Sequence, residues 1–464
     1  MIKFYNSLTR TKEEFIPLED KKVKMYACGI TPSAEAHIGH LYQALIYDIM
    51  RKFLEKEGYE VTYARNYTDI DDKIIAKSNE LKVNAKDYAE ETIKKIDKEM
   101  KYFQIDEPNI WLRATENIDN IIDFIEKLIK KGKAYPTKNG DVYFKVSTFY
   151  QYGKLSGRNT DDALNGVRID NDEEKEDSLD FALWKSAKEG EPYWISPWGK
   201  GRPGWHIECS VMNYATFGDQ IDIHGGGRDL VFPHHENEIA QTESLTGKPF
   251  AKYWTHNGLI RVNGQKMSKS LGNSLLMKDL REKYHIESIK YALLQNSYHT
   301  DINITDNLFP DAEKHLYEFY KVLLEAEEKF GKLQGEDKHV EENFDSAMRD
   351  DLNTAKALSY LFEIFKNSKE KIKNNDKNVL KTLNSVVKTY SLLGIFKQDP
   401  KEFVEYVEGK IQIDIPEEIK NLAKERWQAK INKEYAKADE LRNEILGKGY
   451  NIKDGKEGYE IIKL

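Results

Sequence analysis

Residues 24–41 read Lys24-Met25-Tyr26-Ala27-Cys28-Gly29-Ile30-Thr31-Pro32-Ser33-Ala34-Glu35-Ala36-His37-Ile38-Gly39-His40-Leu41. Lys24 to Cys28 has the composition of a strand and Gly29 to Ala36 that of a loop. From Leu41 onward Leu45, Ile49 and Phe53 recur at four-residue steps, the stripe of a helix that Gly58 can end. Val61-Thr62-Tyr63-Ala64 then forms a second strand running into Arg65-Asn66-Tyr67-Thr68-Asp69-Ile70-Asp71-Asp72. Strand, helix and strand fit a right-handed crossover, so the chain is expected to be α/β, built on a parallel sheet. Such sheets bind ligands at the carboxyl ends of their strands, where Cys28 and Thr68 both fall.

Working outward, a helix is expected over 118–131 with Gly132 as its stop, and a hairpin around Asn139-Gly140-Asp141. Together with the acidic run that follows, these place an inserted region at about 108–203 between two halves of the sheet. The second half resumes at Gly204 and includes Ile221-Asp222-Ile223-His224, the run Gly225-Gly226-Gly227, and a strand at Leu259-Ile260-Arg261-Val262. Beyond Asp306 the period is helical, with Leu316, Phe319, Tyr320, Leu323 and Leu324, then Leu358, Leu361, Phe362 and Phe365 on apolar faces. The expected organisation is a sheet-based unit over 1–298, a helical bundle over 299–397, and a linker with a small α+β unit over 398–464. Within the last, 398–416 reads as the linker, 416 to about 446 as one helix stopped by Gly447, and 450–452 and 459–462 as short strands.

Composition narrows the function. The chain has 464 residues, about three domains' worth, and its 39% hydrophobic and 11% aromatic content suffices for packed cores, which excludes a mainly disordered protein. The net charge of -8 argues at first against a nucleic-acid partner. However, residues 161–180 alone carry -7, and 418–464 carry +2, so charge leaves RNA undecided. No apolar stretch approaches the 18 or so residues of a bilayer span and the start lacks a signal-length hydrophobic run, so a cytoplasmic protein without a membrane partner is expected. Cys28 and Cys209 are then reduced thiols, small buried hydrophobes unless their surroundings say otherwise.

Three constellations carry chemistry. His37 and His40 share one side of a first helical turn, where the helix dipole and backbone N–H groups favour phosphate, and Gly39 permits close approach; alone, the pair reads equally well as surface histidines. Gly264-Gln265-Lys266-Met267-Ser268-Lys269-Ser270-Leu271-Gly272-Asn273 is a Lys/Ser loop directly after a strand, suited to follow a triphosphate or to be a solvated turn. Asp229-Leu230-Val231-Phe232-Pro233-His234-His235-Glu236-Asn237-Glu238 puts Pro233 at a first helical position. His234 and Glu238 then stand one above the other, with His235 pointing elsewhere. Cys28 and Cys209 would complete a zinc-type donor set if the fold brings them to that face.

Together these residues resemble class I aminoacyl-tRNA synthetases, whose two signatures match His37 to His40 and Lys266 to Ser270. Tyr26 to Thr31, Asn66 to Lys73, Gly201 to Ser210 and Asp222 to Glu238 are similar to cysteinyl-tRNA synthetases, and the likeness runs the whole length. One departure is Pro32-Ser33-Ala34-Glu35-Ala36, where the family is expected to have a Val-Tyr pair after Thr31. The resemblance implies a Rossmann-type catalytic domain with an inserted connective region, a helical bundle and a C-terminal anticodon-binding unit. It implies zinc on Cys28, Cys209, His234 and Glu238, holding the substrate thiolate, and an amino-acid pocket of Thr68, Trp205, His224 and Asp229. It also implies ATP over His37, Gly39 and His40 with Lys266 and Lys269 on the phosphates, His37, His40 and both lysines acting catalytically, and magnesium accompanying ATP. The substrates implied are L-cysteine, ATP and tRNA(Cys). Trp427 and Tyr435, with Lys430, Lys433 and Arg442, are candidates for RNA contact, although core packing for Trp427 and a solvated helix face for the basic residues are the preferred reading. Two alternatives stand beside this reading: a zinc-dependent ligase transferring cysteine to a small amine, and a non-catalytic, zinc-stapled RNA-binding protein.

Overall fold

The computed structural model describes residues 1–158, 174–267, 272–413, 415–455 and 458–463. Its centre is a parallel five-stranded sheet in the spatial order Ala251–Asn257, Ile221–Gly227, Lys22–Ile30, Glu60–Tyr67, Ile110–Arg113. Along the chain this is the doubly wound order, which reverses between Lys22–Ile30 and Ile221–Gly227. A crevice opens at the carboxyl ends of those two strands because the connections leave them in opposite directions. Met25 to Cys28 is buried throughout, as an inner parallel strand must be. The helix Ile38–Lys56 follows, and Leu41, Leu45, Ile49 and Phe53 are all buried, as their spacing predicts.

Ile110–Arg113 is the edge strand of this sheet, so the inserted region begins after it and not at 108. Half-buried along its whole length, it carries no alternation from which a strand is readable. The insertion contains the helix Ile118–Lys130, ended near Gly132 at φ 69°, and an antiparallel sheet. In that sheet Ala134–Pro136 and Val142–Phe144 form the expected hairpin, with Phe181–Ser186, Gly199–Pro203 and Trp194–Ser196 beyond them. Most of the acidic run, 159–173, lies outside the described residues.

Leu308–Phe330, Lys338–Arg349, Thr354–Lys373 and Val379–Tyr390 form the bundle. Its core is continuous with one face of the central sheet, joining Leu41 and Phe53 to Leu316, Phe319, Leu361 and Phe365. Phe362 leaves the expected stripe and is 48% exposed. Residues 398–416, expected as a linker, instead hold the helix Pro400–Ile413. Its Phe403, Val404 and Val407 enter the same core, Phe403 stacked on Tyr320 at 4.1 Å. Asp399 caps this helix by accepting from the N–H of Lys401 (2.9 Å). The stretch is short and bounded by prolines, which is why it reads as a linker in sequence.

The single helix expected over 416–446 is two, Glu417–Ile431 and Tyr435–Gly447, broken where Lys433 takes φ 62°. With the antiparallel strands Tyr450–Asp454 and Tyr459–Lys463 they form a separate core of Ile415, Ile419, Ala423, Ile445, Tyr450 and Ile452. Buried Arg426 clips the unit together by a bidentate pair to Asp454 (2.7 and 2.9 Å). Among the described residues no helix is long and apolar enough to cross a membrane.

Candidate active site

Cys28 lies near the carboxyl end of the first sheet strand, where its pairing with Glu60–Tyr67 slips between Ala27 and Ile30. Asn66 holds this irregular stretch. Its Oδ1 accepts from Tyr26 Oη (2.8 Å) and from the N–H of Gly29 (2.9 Å), and its Nδ2 donates to Thr68 Oγ1 (3.3 Å). Only glycine fits at 29, since a Cβ there would lie 1.5 Å from the carbonyl oxygen of Asn66, which is backbone and cannot swing aside. Gly29→Ala is therefore expected to cost more than about 3 kcal/mol, above ordinary overpacking. Thermal unfolding measures this, and a variant melting within about 2 °C of the parent would contradict it.

Cys209 arrives from the helix Trp205–Phe217, and Glu238 from Glu236–Thr246. The latter helix starts at Glu236, not at Pro233. Before it, Phe232 is extended (φ -139°, ψ 130°) and the chain makes a wide turn through Val231–His235. That turn breaks the regular helical spacing, so His234 and His235 both reach the site, and the expectation that His235 points elsewhere fails. His235 Nε2 is 3.3 Å from Cys28 Sγ.

Four donor atoms converge. Cys28 Sγ is 3.8 Å from Cys209 Sγ and 3.4 Å from Glu238 Oε1, and His234 Nε2 is 3.1 Å from that same oxygen. All four residues are buried and their donors lie within 4.8 Å of one another. A tetrahedral ion with bonds of about 2.0 to 2.3 Å spaces its ligands about 3.3 to 3.8 Å apart; the two spacings from Cys28 fall in this range and the His234–Glu238 spacing just below it, so the donor set is of a kind and size that suits zinc. A second grouping, Cys28, His224, His235 and Glu238, shares two members. It fits less well, because His224 Nε2 stands 2.7 Å from Glu238 Oε2, a hydrogen-bond distance too short for two ligands of one ion. His224 instead orients the carboxylate, and His206 does the same for His234, their Nδ1 atoms 2.9 Å apart.

The electrostatics follow from burial and pairing. Burial pushes the Cys28 thiol well up, and its hydrogen bond to Cys209 adds to this. Receiving that hydrogen bond brings Cys209 down to about 6. Desolvation opposes charge on His234 and Glu238, but each outweighs it for the other: Glu238 raises His234 to about 10, and His224 and His234 hold the Glu238 carboxyl far below its usual range. Cys28 and His234 would have to give up their protons to hold a metal ion here. His235 and His256 are neutral, burial pushing the first well down and the second to about 3.

Three of the four donor residues form the floor of a cavity of about 500 Å³, with Glu238 buried beneath them. Cys28, Cys209 and His234 line it, as do Thr68, Trp205 and Asp229, and at its other end His37, Gly39, His40 and Lys266. His37 Nδ1 accepts from the N–H of Gly39 (3.1 Å), His40 Nδ1 accepts from the N–H of His37 (3.4 Å), and the rings stack at 3.7 Å. The first backbone N–H groups of this helix are thereby engaged, that of Ile38 by the carbonyl of Leu275 (2.9 Å) and that of His40 by the carbonyl of His37 (2.9 Å). They are not free for a ligand, contrary to the expectation from sequence, and with Nδ1 accepting, the proton of each neutral ring sits on Nε2. Lys266 is carried by a hairpin whose turn, Asn263 (φ 48°) and Gly264 (φ 79°), has both residues left-handed. Lys269 lies outside the described residues. The divergent Pro32–Ala36 loop is anchored by Tyr88 Oη donating to the carbonyl of Ser33 (2.9 Å) and by Lys278 on Glu35 (2.8 Å).

The sequence profile described as tRNA synthetases class I (C) catalytic domain matches residues 14–314, and that described as DALR domain matches 343–397. A cysteine–tRNA ligase of Caldicellulosiruptor saccharolyticus is 43% identical over 475 residues, 100% of both chains. One of Maridesulfovibrio salexigens is 42% identical, covering 98% of this chain and 99% of its own. The chain belongs to the cysteine–tRNA ligase family. Methionyl-tRNA synthetase of Mycobacterium tuberculosis, solved in complex with methionyl-adenylate, shares the fold at a TM-score of 0.59 and 13% identity, over 83% of this chain and 93% of its own.

In this ligase Cys28, Cys209, His234, Thr68, Trp205, Asp229, His37, Gly39, His40 and Lys266 line one cavity, Lys269 lies outside the described residues, and one residue takes another place. His224 does not line the cavity. It is fully buried behind the donor set, stacked on Trp254 at 4.4 Å. Trp205 covers His234 from the cavity side, their rings 4.4 Å apart. Sequence reasoning passes over Asn66 and His206, and over His256, whose Nε2 is 2.8 Å from His235 Nδ1. All three act through neighbours distant in sequence, so no local spacing marks them. In the C-terminal unit Tyr435 is 61% exposed, while Trp427 packs on Tyr459 at 5.6 Å and Lys430 pairs with Asp454 (2.8 Å).

Proposed function

We propose that the chain activates L-cysteine with ATP and transfers it to tRNA(Cys), with zinc held by Cys28, Cys209, His234 and Glu238. The observation that carries this reading is the donor set at the floor of a cavity whose other end carries the His37 to His40 turn and Lys266. Bound there, zinc supplies a Lewis acid that stabilises a thiolate and ligates a serine hydroxyl poorly. The chain's own residues do the rest. Asp229 pairs with the substrate ammonium, Thr68 and Trp205 bound the small side chain, and His224 keeps Glu238 aimed at the donor set. ATP, accompanied by magnesium, lies over Gly39 with its phosphates toward His37, His40, Lys266 and Lys269. The cysteine carboxylate attacks the α-phosphorus in line, pyrophosphate leaves, and the imidazole N–H groups and lysines meet the developing charge, so catalysis is mainly positioning and electrostatics. A ribose hydroxyl of the tRNA end then attacks the adenylate carbonyl, the bond from that carbonyl to the phosphate oxygen breaks, and AMP leaves as the ester forms, the hydroxyl proton passing to the departing phosphate or to solvent. Cysteine-dependent ATP–pyrophosphate exchange followed by charging of tRNA tests the whole reading, and exchange with transfer only to a small amine would favour the nearer alternative.

The C-terminal unit is proposed to read the anticodon. Because the helix Pro400–Ile413 belongs to the bundle core, the cut that isolates the unit falls at residue 414, not near Gln398. A chain ending there should keep pyrophosphate exchange within about twofold while tRNA charging drops by at least about tenfold. Equal losses in both assays would count against a separate RNA-reading unit.

A further inference from the structure

Lys290, on the helix Ile286–Leu293, is 1% exposed. Among the described residues neither a hydrogen bond nor an ion pair reaches its amine. A buried ammonium without a partner is costly, and the carboxylates that attract it most are spent elsewhere. Glu287, one turn before it, accepts from Tyr320 Oη (2.7 Å) and from the N–H groups of Phe396 and Lys397 (both 2.9 Å). Asp48 accepts from Arg51 Nη2 (2.8 Å) and from Lys52 Nζ (2.6 Å). Positive charge faces the amine as well, since Lys397 and Lys52 both repel it. The backbone of Gly394 (φ 76°) packs against it, where an added Cβ would come 2.8 Å from Nζ. Gly394 is only half-buried and Lys397 is exposed, so the amine lies just beneath the surface at a point that no side chain of residue 394 covers. Desolvation, then Lys397 and Lys52, bring Lys290 down to about 8, which leaves much of it as free amine at mildly alkaline pH.

An amine desolvated beside other cations is an activated nucleophile. The close packing around it admits only a small electrophile, and the adduct that suits Lys52 and Lys397 is an anionic one. We propose that Lys290 is a modification site for carbon dioxide, its amine carrying a carbamate held by the ammonium groups of Lys52 and Lys397. The Nζ lone pair attacks the carbon of carbon dioxide, a C–N bond forms, one C–O π pair moves onto its oxygen, and a proton of Nζ passes to solvent. An uncompensated cation is thereby replaced by an anion between two cations. The carbamate ties the helix Ile286–Leu293 to Ile38–Lys56 through Lys52 and to the end of the bundle through Lys397.

The test equilibrates the full-length protein at mildly alkaline pH with isotope-labelled carbon dioxide, then adds triethyloxonium ion, which alkylates carbamates to stable esters, and reads the peptides by mass spectrometry. The labelled ester should appear on the peptide carrying Lys290 at a level at least about tenfold above that on any exposed lysine, because exposed lysines are almost wholly protonated. A small peptide with a free α-amino group, added to the same sample, is the internal control. Label on the control with none on Lys290, or no more on Lys290 than on exposed lysines, overturns the proposal. Lys397→Ala, a change at an exposed position, should lower the label on Lys290 by about threefold. An undiminished level in that variant removes the pairing on which the proposal stands and overturns it too.

Discussion

Cys209→Ser will lose bound zinc and cysteine activation together. The serine hydroxyl can occupy the space of the thiol but offers a poor ligand, and it removes the group that Cys28 hydrogen-bonds and that sits 3.8 Å from it. Bound zinc, measured after dialysis, should fall by at least about tenfold, more than is typical for loss of an outer-shell partner alone. The ratio of kcat/KM for cysteine over serine in pyrophosphate exchange should collapse towards the small value that shape alone supports, because a pocket cannot strongly reject so close an analogue by its size. ATP affinity should change little, since His37 and Lys266 lie at the other end of the cavity. A zinc-poor variant that still prefers cysteine as strongly as the parent would reduce the four donors to a structural staple.

The second large effect is expected at the turn that faces the phosphates. His40→Asn should slow single-turnover adenylate formation by about 10²- to 10³-fold, the scale on which one preorganised donor to a developing negative charge acts. Cysteine affinity should stay near that of the parent, because the loss falls on the transition state. The same ring accepts the N–H of His37 at 3.4 Å, and losing that cap should cost about 1 kcal/mol of stability, a modest shift that melting separates from the kinetic effect. If cysteine affinity fell while the chemical step kept its rate, the turn would belong to amino-acid binding and not to phosphate.

Local pattern carried much of this protein. The four-residue stripe of Leu41, Leu45, Ile49 and Phe53, the parallel pairing of Lys22–Ile30 with Glu60–Tyr67, and the hairpin around Gly140 were legible because each depends on neighbours in the chain. The donor residues were legible as types, and two of them, His234 and Glu238, as a spaced pair. What failed locally failed for stated reasons. Ile110–Arg113 is half-buried and shows no alternation, Pro400–Ile413 is short and flanked by prolines, and the wide turn before Glu236 sets aside the regular helical spacing by which His235 would point away.

By itself, then, the sequence determined the crossover, the helical stripes and the inventory of sulfur, imidazole and carboxylate groups, because backbone preference and side-chain periodicity act over a few residues. Tertiary structure alone decided which of those groups meet. The reversal of strand order between Lys22–Ile30 and Ile221–Gly227 opens the crevice into which Cys28, Cys209, His234 and Glu238 arrive from three separate segments. It also decided that His224 turns to Glu238 and away from the cavity, and that Lys290 lies buried against Gly394. Distances of 3 to 4 Å between residues some two hundred positions apart follow from how the layers pack, and no spacing along the chain encodes them.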